Sequence, residues 1–135
     1  MIRLLVADDH DVIRFGLQTL LDKEPDITVI GMAADGRAAV ILAVADPPDV
    51  VLMDLSMPVL DGVAATREIL AASPSVRILV LTSYSHESII REAFEAGACG
   101  YMLKDSSPTT LLEAIRAVYR GETPMAPVVR EVFGT

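Results

Sequence analysis

Val50-Val51-Leu52-Met53-Asp54 is four uninterrupted apolar residues ending on a carboxylate. A strand with one wet face alternates apolar and polar residues, whereas a parallel strand covered on both faces reads as a continuous apolar run. The same form recurs on either side of it. Upstream, Ile2–Ala7 runs into Asp8-Asp9, and Ile27–Ala33 is followed by Asp35-Gly36. Downstream, Val76–Leu81 runs into Thr82, and Gly100–Leu103 runs into Lys104.

Helical patterns fill the gaps. Ile13, Leu17, Leu20 and Leu21 share one helical face, and Glu24-Pro25-Asp26 ends that helix. An Ala-rich helix runs from Asp35-Gly36 to about Ala45 and breaks at Asp46-Pro47-Pro48. Asp61-Gly62 opens a third helix, stopped after Ala72 by Ser73-Pro74. Ile89, Ile90, Ala93 and Phe94 mark a fourth, closed by Gly97. Ser107 is an N-cap with Pro108 at the first helical position, opening a helix through Leu111, Ile115 and Val118. Five βα units predict an α/β fold, a doubly wound five-stranded parallel sheet. Right-handed crossovers favour the order 2-1-3-4-5 of flavodoxin-like (CheY-like) domains. One domain over residues 1–121 is expected. Residues 122–127 read as a linker, and Val128–Phe133 as the start of a following helix, so that residues 122–135 lie outside the βα pattern.

Of the 135 residues, 52% are hydrophobic and 22% charged, the balance of a globular chain. The longest apolar run, Ala38–Ala45, is far short of the roughly 20 residues of a membrane span. The early Asp8 and Asp9 argue against a secretory signal. Cys99 is the single cysteine, and a reducing cytoplasm is the simplest home for it. Acidic residues outnumber basic ones 19 to 11, and the lysines are only Lys23 and Lys104. Phosphate neutralisation needs clustered cations, so this chain alone is a poor nucleic-acid binder.

Polar residues interrupt the apolar pattern at strand ends: Asp8 and Asp9 after the first strand, Asp54 after the third, Thr82 after the fourth and Lys104 after the fifth. In an open parallel sheet these ends share one edge, and the first and third strands meet at the topological switch point. Three carboxylates are therefore expected to converge, and like charges there repel. A hard divalent cation resolves the conflict, and oxygen ligands favour Mg²⁺, with Mn²⁺ as the alternative. A carboxylate at the end of a strand can act as a nucleophile toward phosphorus, with Lys104 and Thr82 holding the other oxygens of the transferred group. The set reads as a phosphoryl-transfer site.

The nine residues Asp54-Leu55-Ser56-Met57-Pro58-Val59-Leu60-Asp61-Gly62 resemble the phosphoacceptor segment of bacterial two-component response-regulator receiver domains. Asp8-Asp9, Thr82 and the run Gly97–Lys104 match that family in order and spacing, and the resemblance covers about residues 1–121. Asp8-Asp9-His10 with Arg14, and Lys104-Asp105 before Pro108, are most similar to the NarL/FixJ (LuxR-type) subfamily. Many receivers have proline where Asp105 stands.

The resemblance implies that Asp54 is phosphorylated by a sensor histidine kinase. It implies direct metal ligation by Asp9, Asp54 and the Ser56 backbone carbonyl, with Asp8 orienting a metal-bound water. Lys104 would pair with the phosphoryl group and Thr82 would bond to it. Thr82 and Tyr101 resemble the family's switch pair, in which the hydroxyl moves toward the phosphate and the ring turns inward. Ser56 and Tyr84 flank the site at variable positions. The partners implied are the kinase, a second copy on phosphorylation, and promoter DNA through a helix-turn-helix domain absent here; no membrane is implied.

Two other chemistries fit less well. A haloacid-dehalogenase-type phosphatase needs a second Asp two positions after its nucleophile, where this chain has Ser56. A flavodoxin-like cofactor binder needs a phosphate loop after the first strand, where this chain has carboxylates. His10 reads as a loop residue near a helix start, His86 as exposed, Cys99 as buried and inert, and Met53 and Met57 as packing.

Overall fold

The computed structural model describes residues 1–134. Five strands, β1 (Ile2–Ala7), β2 (Ile27–Ala33), β3 (Val50–Met53), β4 (Arg77–Thr82) and β5 (Gly100–Leu103), pair in parallel in the order β2-β1-β3-β4-β5. They alternate with α1 (Asp11–Asp22), α2 (Gly36–Ala45), α3 (Gly62–Ala72), α4 (Glu87–Glu95) and α5 (Pro108–Tyr119), and a short α6 (Pro127–Val132) follows. No helix among the described residues is long and apolar enough to cross a membrane.

Alternate strand residues face opposite layers, both covered by helices, so the central parts of the strands are apolar on both faces, with Arg3, Thr28 and Arg77 at or near strand starts. Leu4, Val6, Val50, Leu52, Leu79 and Leu81 pack with Leu17, Leu21, Leu111, Ile115 and Val118 of α1 and α5. Leu5, Ala7, Val51, Met53 and Ile78 pack with Ala39, Ala43, Ala65 and Ile69 of α2 and α3. A third cluster at the β4–β5 side joins Leu55, Val80, Ile90, Tyr101 and Val129.

The element order and strand order are those expected. β4 begins at Arg77 rather than Val76, because the Val76 amide closes the turn after α3 on Ser73 O while the Arg77 amide pairs with Asp49 O. The Arg77 guanidinium then donates to the carbonyls of Val118 and Tyr119, satisfying the C-terminal end of α5. Residues 122–126 lie against β5. The Tyr101 amide donates to Pro124 O and the Ala126 amide to Tyr101 O, both at 3.0 Å, and Tyr101 forms a parallel bridge with Met125. Val129 of α6 is wholly buried.

Two Asp-Gly pairs hold the loop that follows β3. Asp35 and Asp61 each cap their helix by accepting from the amide three residues on, Ala38 and Ala64. A Cβ on Gly36 would lie 1.8 Å from Leu60 O, and one on Gly62 would lie 2.1 Å from Asp54 O. Both helix starts therefore press directly on the backbone between Asp54 and Asp61. Within that loop Val59 adopts φ 70°, a region that β-branched residues rarely enter. All described peptide bonds are trans, Lys104–Asp105 included.

Candidate functional site

The sheet ladder carries straight into the site. The Asp8 amide donates to Ala33 O, the Asp54 amide to Ala7 O and the Lys104 amide to Thr82 O, at 2.9–3.0 Å. Each residue is thus fixed by its neighbour strand before its side chain makes any contact. Asp8, Asp54 and Thr82 are buried, which for two carboxylates demands partners.

Those partners are present. Lys104 Nζ lies 2.6 Å from Asp8 Oδ2 and 3.0 Å from Asp54 Oδ2. Burial alone pushes the Lys104 ammonium down, but its bonds to Asp8 and Asp54 outweigh that and hold its pKa above the ordinary value. The other oxygen of Asp54 accepts from the Leu55 amide at 2.8 Å. Asp8 Oδ1 accepts from the His10 amide at 2.8 Å, and the His10 ring Nδ1 lies 3.0 Å from it. Arg14 donates to the Asp8 carbonyl at 2.6 Å and also pairs with Asp11, pinning the turn into α1.

One atom is left over. Asp9 Oδ1 is shut away from water without a hydrogen-bond partner, since His10 Nδ1, 3.2 Å away, is not in bonding geometry. An acceptor in that position costs roughly 1–3 kcal/mol unless something satisfies it. Ligand atoms of Asp8, Asp9, His10 and Asp54 lie within 4.8 Å of one another, so the group can hold a metal ion. Three hard carboxylates with one oxygen unsatisfied suit a divalent cation. Asp9 and Asp54 border a cleft of about 300 Å³, lined also by His10, Ser56, Ser83, Tyr84 and Lys104.

Residues 4–116 match the model of the response regulator receiver domain. The chain belongs to that family.

The receiver is 46% identical over 122 residues to the transcriptional regulatory protein LiaR of Bacillus subtilis; the match takes in 90% of this chain and 58% of LiaR. The chain thus spans about three fifths of that relative's length. Among solved structures it is similar to a LuxR-family two-component response regulator from Aurantimonas sp. SI85-9A1, at TM-score 0.91 and 37% identity, covering 97% of this chain and 94% of the other. It is also similar to the receiver domain of the response regulator NarL from Mycobacterium tuberculosis, at TM-score 0.86 and 33% identity, covering 90% and 98%. These likenesses agree with the NarL/LuxR-type character of the Asp8-Asp9-His10 and Lys104-Asp105 segments.

The receiver's other expected residues fall around this centre. Thr82 is wholly buried at the end of β4, and its Oγ1 lies 3.5 Å from the Tyr84 amide. Tyr101 is already turned inward and wholly buried, its hydroxyl donating to Tyr84 O at 2.6 Å. Burial, with a smaller push from the Asp54 charge, raises the Tyr101 phenol to about 12. Ser56 is exposed on the cleft wall, as is much of the Tyr84 ring, which meets His86 edge-on. Met53 and Met57 are buried packing, whereas Cys99 is only partly covered, its Sγ near Gly97 O rather than deep in the core.

His10 is the residue that sequence reasoning left outside. It does stand at the start of α1 as its N-cap, but its backbone turn brings the ring onto Asp8 and Asp9. Its place directly after the acidic pair is the one signal that could have flagged it.

Proposed function

We propose that this receiver is the phosphorylation switch of a two-component response regulator. Asp54 takes a phosphoryl group from the phosphohistidine of a sensor histidine kinase, and the loaded domain controls an output. A carboxylate oxygen of Asp54 attacks phosphorus, the P–N bond to the kinase histidine breaks, and the histidine leaves with the electron pair. Lys104, already held at 3.0 Å from Asp54, stays beside the new phosphoryl oxygens and offsets their charge. The Thr82 hydroxyl is one strand away and would donate to another of them. Asp9, Asp54 and the Ser56 carbonyl would hold Mg²⁺ (or Mn²⁺), with Asp8 orienting its water; when bound, the ion supplies positive charge to the transferring group. The observation that carries this reading is the arrangement of Lys104 across Asp8 and Asp54 beside the unsatisfied Asp9 oxygen.

In this reading the chain is a signalling phosphoacceptor that catalyses only its own loading and hydrolysis. Its place is the cytoplasm, with transcription controlled through a C-terminal helix-turn-helix domain and a homodimer formed on phosphorylation. Incubation with acetyl phosphate or phosphoramidate, followed by peptide mapping, tests the assignment. Label is expected on Asp54 alone, with none in Asp54→Asn and none in EDTA. Label on another residue of the wild type, or full labelling in EDTA, overturns it.

A further inference from the structure

The phosphoacceptor chemistry leaves His10 without a task, yet its ring is held among the carboxylates. Nδ1 lies 3.0 Å from Asp8 Oδ1 and 3.2 Å from Asp9 Oδ1. The first contact is a hydrogen bond. The second is not, and Asp9 Oδ1 is shut away from water with no other partner. A nitrogen and an oxygen this close, with no bond between them, have the spacing of neighbouring ligands on one ion. Octahedral ligands roughly 2.1 Å from a metal stand about 3 Å apart. Donor atoms of Asp8, Asp9, His10 and Asp54 all fall within 4.8 Å of one another.

We propose that His10 Nδ1 is a nitrogen ligand in this cation site and makes it select divalent transition metals of the nickel and zinc class over Mg²⁺. The inference rests on the reading of Asp9 and Asp54 as metal ligands.

Carboxylates and a backbone carbonyl alone make a hard site, and Mg²⁺ keeps water in the positions they leave open. Imidazole adds little for Mg²⁺, whereas Ni²⁺ and Zn²⁺ take it readily. One nitrogen therefore raises affinity for those ions without raising it for Mg²⁺. The ring is also free to change partner. Asp8 Oδ1 accepts from the His10 amide at 2.8 Å, and Asp8 Oδ2 lies 2.6 Å from Lys104 Nζ. Asp8 thus stays satisfied when Nδ1 turns a lone pair toward an ion. Among the described residues no other hydrogen bond holds the ring, whose side chain is 62% exposed. A purely structural N-cap side chain would bond to the first helical amides, as Asp35 and Asp61 do. His10 is the N-cap of α1 and makes no such bond; its ring faces the acids instead.

Calorimetric titration of the untagged chain with magnesium chloride, and separately with nickel chloride, tests this in wild type, His10→Ala and His10→Asn. His10→Ala is expected to weaken Ni²⁺ binding about tenfold or more and to change Mg²⁺ binding by less than about threefold. Both variants keep the backbone amide that bonds Asp8, so the acidic pair stays in place. His10→Asn keeps a side-chain donor for Asp8 but has no imidazole, and is expected to behave as His10→Ala does. In nitrogen NMR of the histidine rings, Zn²⁺ is expected to move the His10 Nδ1 resonance. His86, the other histidine of the chain, should stay where it is. Equal weakening of both metals in His10→Ala, restored by His10→Asn, would mean that the ring only steadies Asp8, and overturns the inference. Unchanged Ni²⁺ affinity in His10→Ala, or a His10 Nδ1 resonance that ignores Zn²⁺, also overturns it. Each of these leaves the carboxylate metal site standing; a wild-type chain that binds neither Mg²⁺ nor Ni²⁺ overturns both.

Discussion

Lys104 Nζ sits closer to Asp8 Oδ2, at 2.6 Å, than to the oxygen of Asp54 it also serves, at 3.0 Å. The lysine is thus shared between the two carboxylates, both almost fully buried, and among the described residues it is the one Lys or Arg ion-paired with either of them. In the metal-free domain Lys104→Ala leaves two buried charges unpaired and should cost about 3 kcal/mol. Urea melts in EDTA measure this. The folded pKa of Lys104 lies above its ordinary 10.5, so its contribution is complete below that value and is lost as pH rises through the higher folded one. The gap between wild type and variant should therefore hold at neutral pH and narrow in strong alkali.

Asp9 behaves in the opposite sense. Its buried Oδ1 has no donor, and its charge faces those of Asp8 and Asp54. Asp9→Asn removes one repulsion and supplies an amide that can donate to either carboxylate, so the metal-free domain should gain about 1 kcal/mol. The same variant should lose most of the stabilisation that Mg²⁺ gives the wild type. Paired melts with and without magnesium read both effects. A less stable Asp9→Asn protein in EDTA would mean that the carboxylates do not crowd one another.

Tyr101 should ionise late. Its phenol is raised from 10.0 to about 12, first by burial and then by the Asp54 charge. Because the folded value exceeds the unfolded one, the associated stability is full below pH 10.0 and is lost as pH climbs through about 12. A spectrophotometric titration of the native protein should show a late ionisation step, and Tyr101→Phe should abolish it.

Val59 is a place where the loop after Asp54 holds an unfavourable backbone. It has φ 70° and its side chain is 79% exposed, so nothing is gained by packing. Asn tolerates this region far better than a β-branched residue, and Val59→Asn should raise stability by about 1 kcal/mol. Thermal or urea unfolding checks it; a loss of stability would show that the valine side chain contributes something its exposure conceals.

Much of this was legible in the sequence, for a definite reason. Continuous apolar strands specify burial on both faces, and polar residues at their C-terminal ends specify one edge, so Asp8, Asp54, Thr82 and Lys104 could be placed together without coordinates. What period and spacing do not carry is the local turn of a loop. The approach of the His10 ring to Asp8 depends on extended backbone at one residue, which a histidine adopts or not with little trace in its neighbours. The start of β4 moved by one residue because Val76 is apolar and buried yet belongs to a turn. Reading residues 122–127 as a linker says nothing of what they touch. The attachment to Tyr101 uses backbone groups, which are the same for every residue type, and only the Val129–Val132 spacing with Phe133 hints at a helix that needs a surface.

The order in which the site's residues leave the ribosome follows from the sheet. Its carboxylates come from positions 8, 9 and 54, its hydroxyl from 82, and its cation from 104, on the strand at the far edge. A growing chain released only as far as β4 holds all the negative charge of the site and none of the lysine that offsets it. At roughly 5–20 residues per second that interval lasts seconds. The arrival of β5 both completes the sheet and offsets the charge at its edge, so the domain gains its charge-balanced centre and its last strand in the same step, and a half-made domain carries neither.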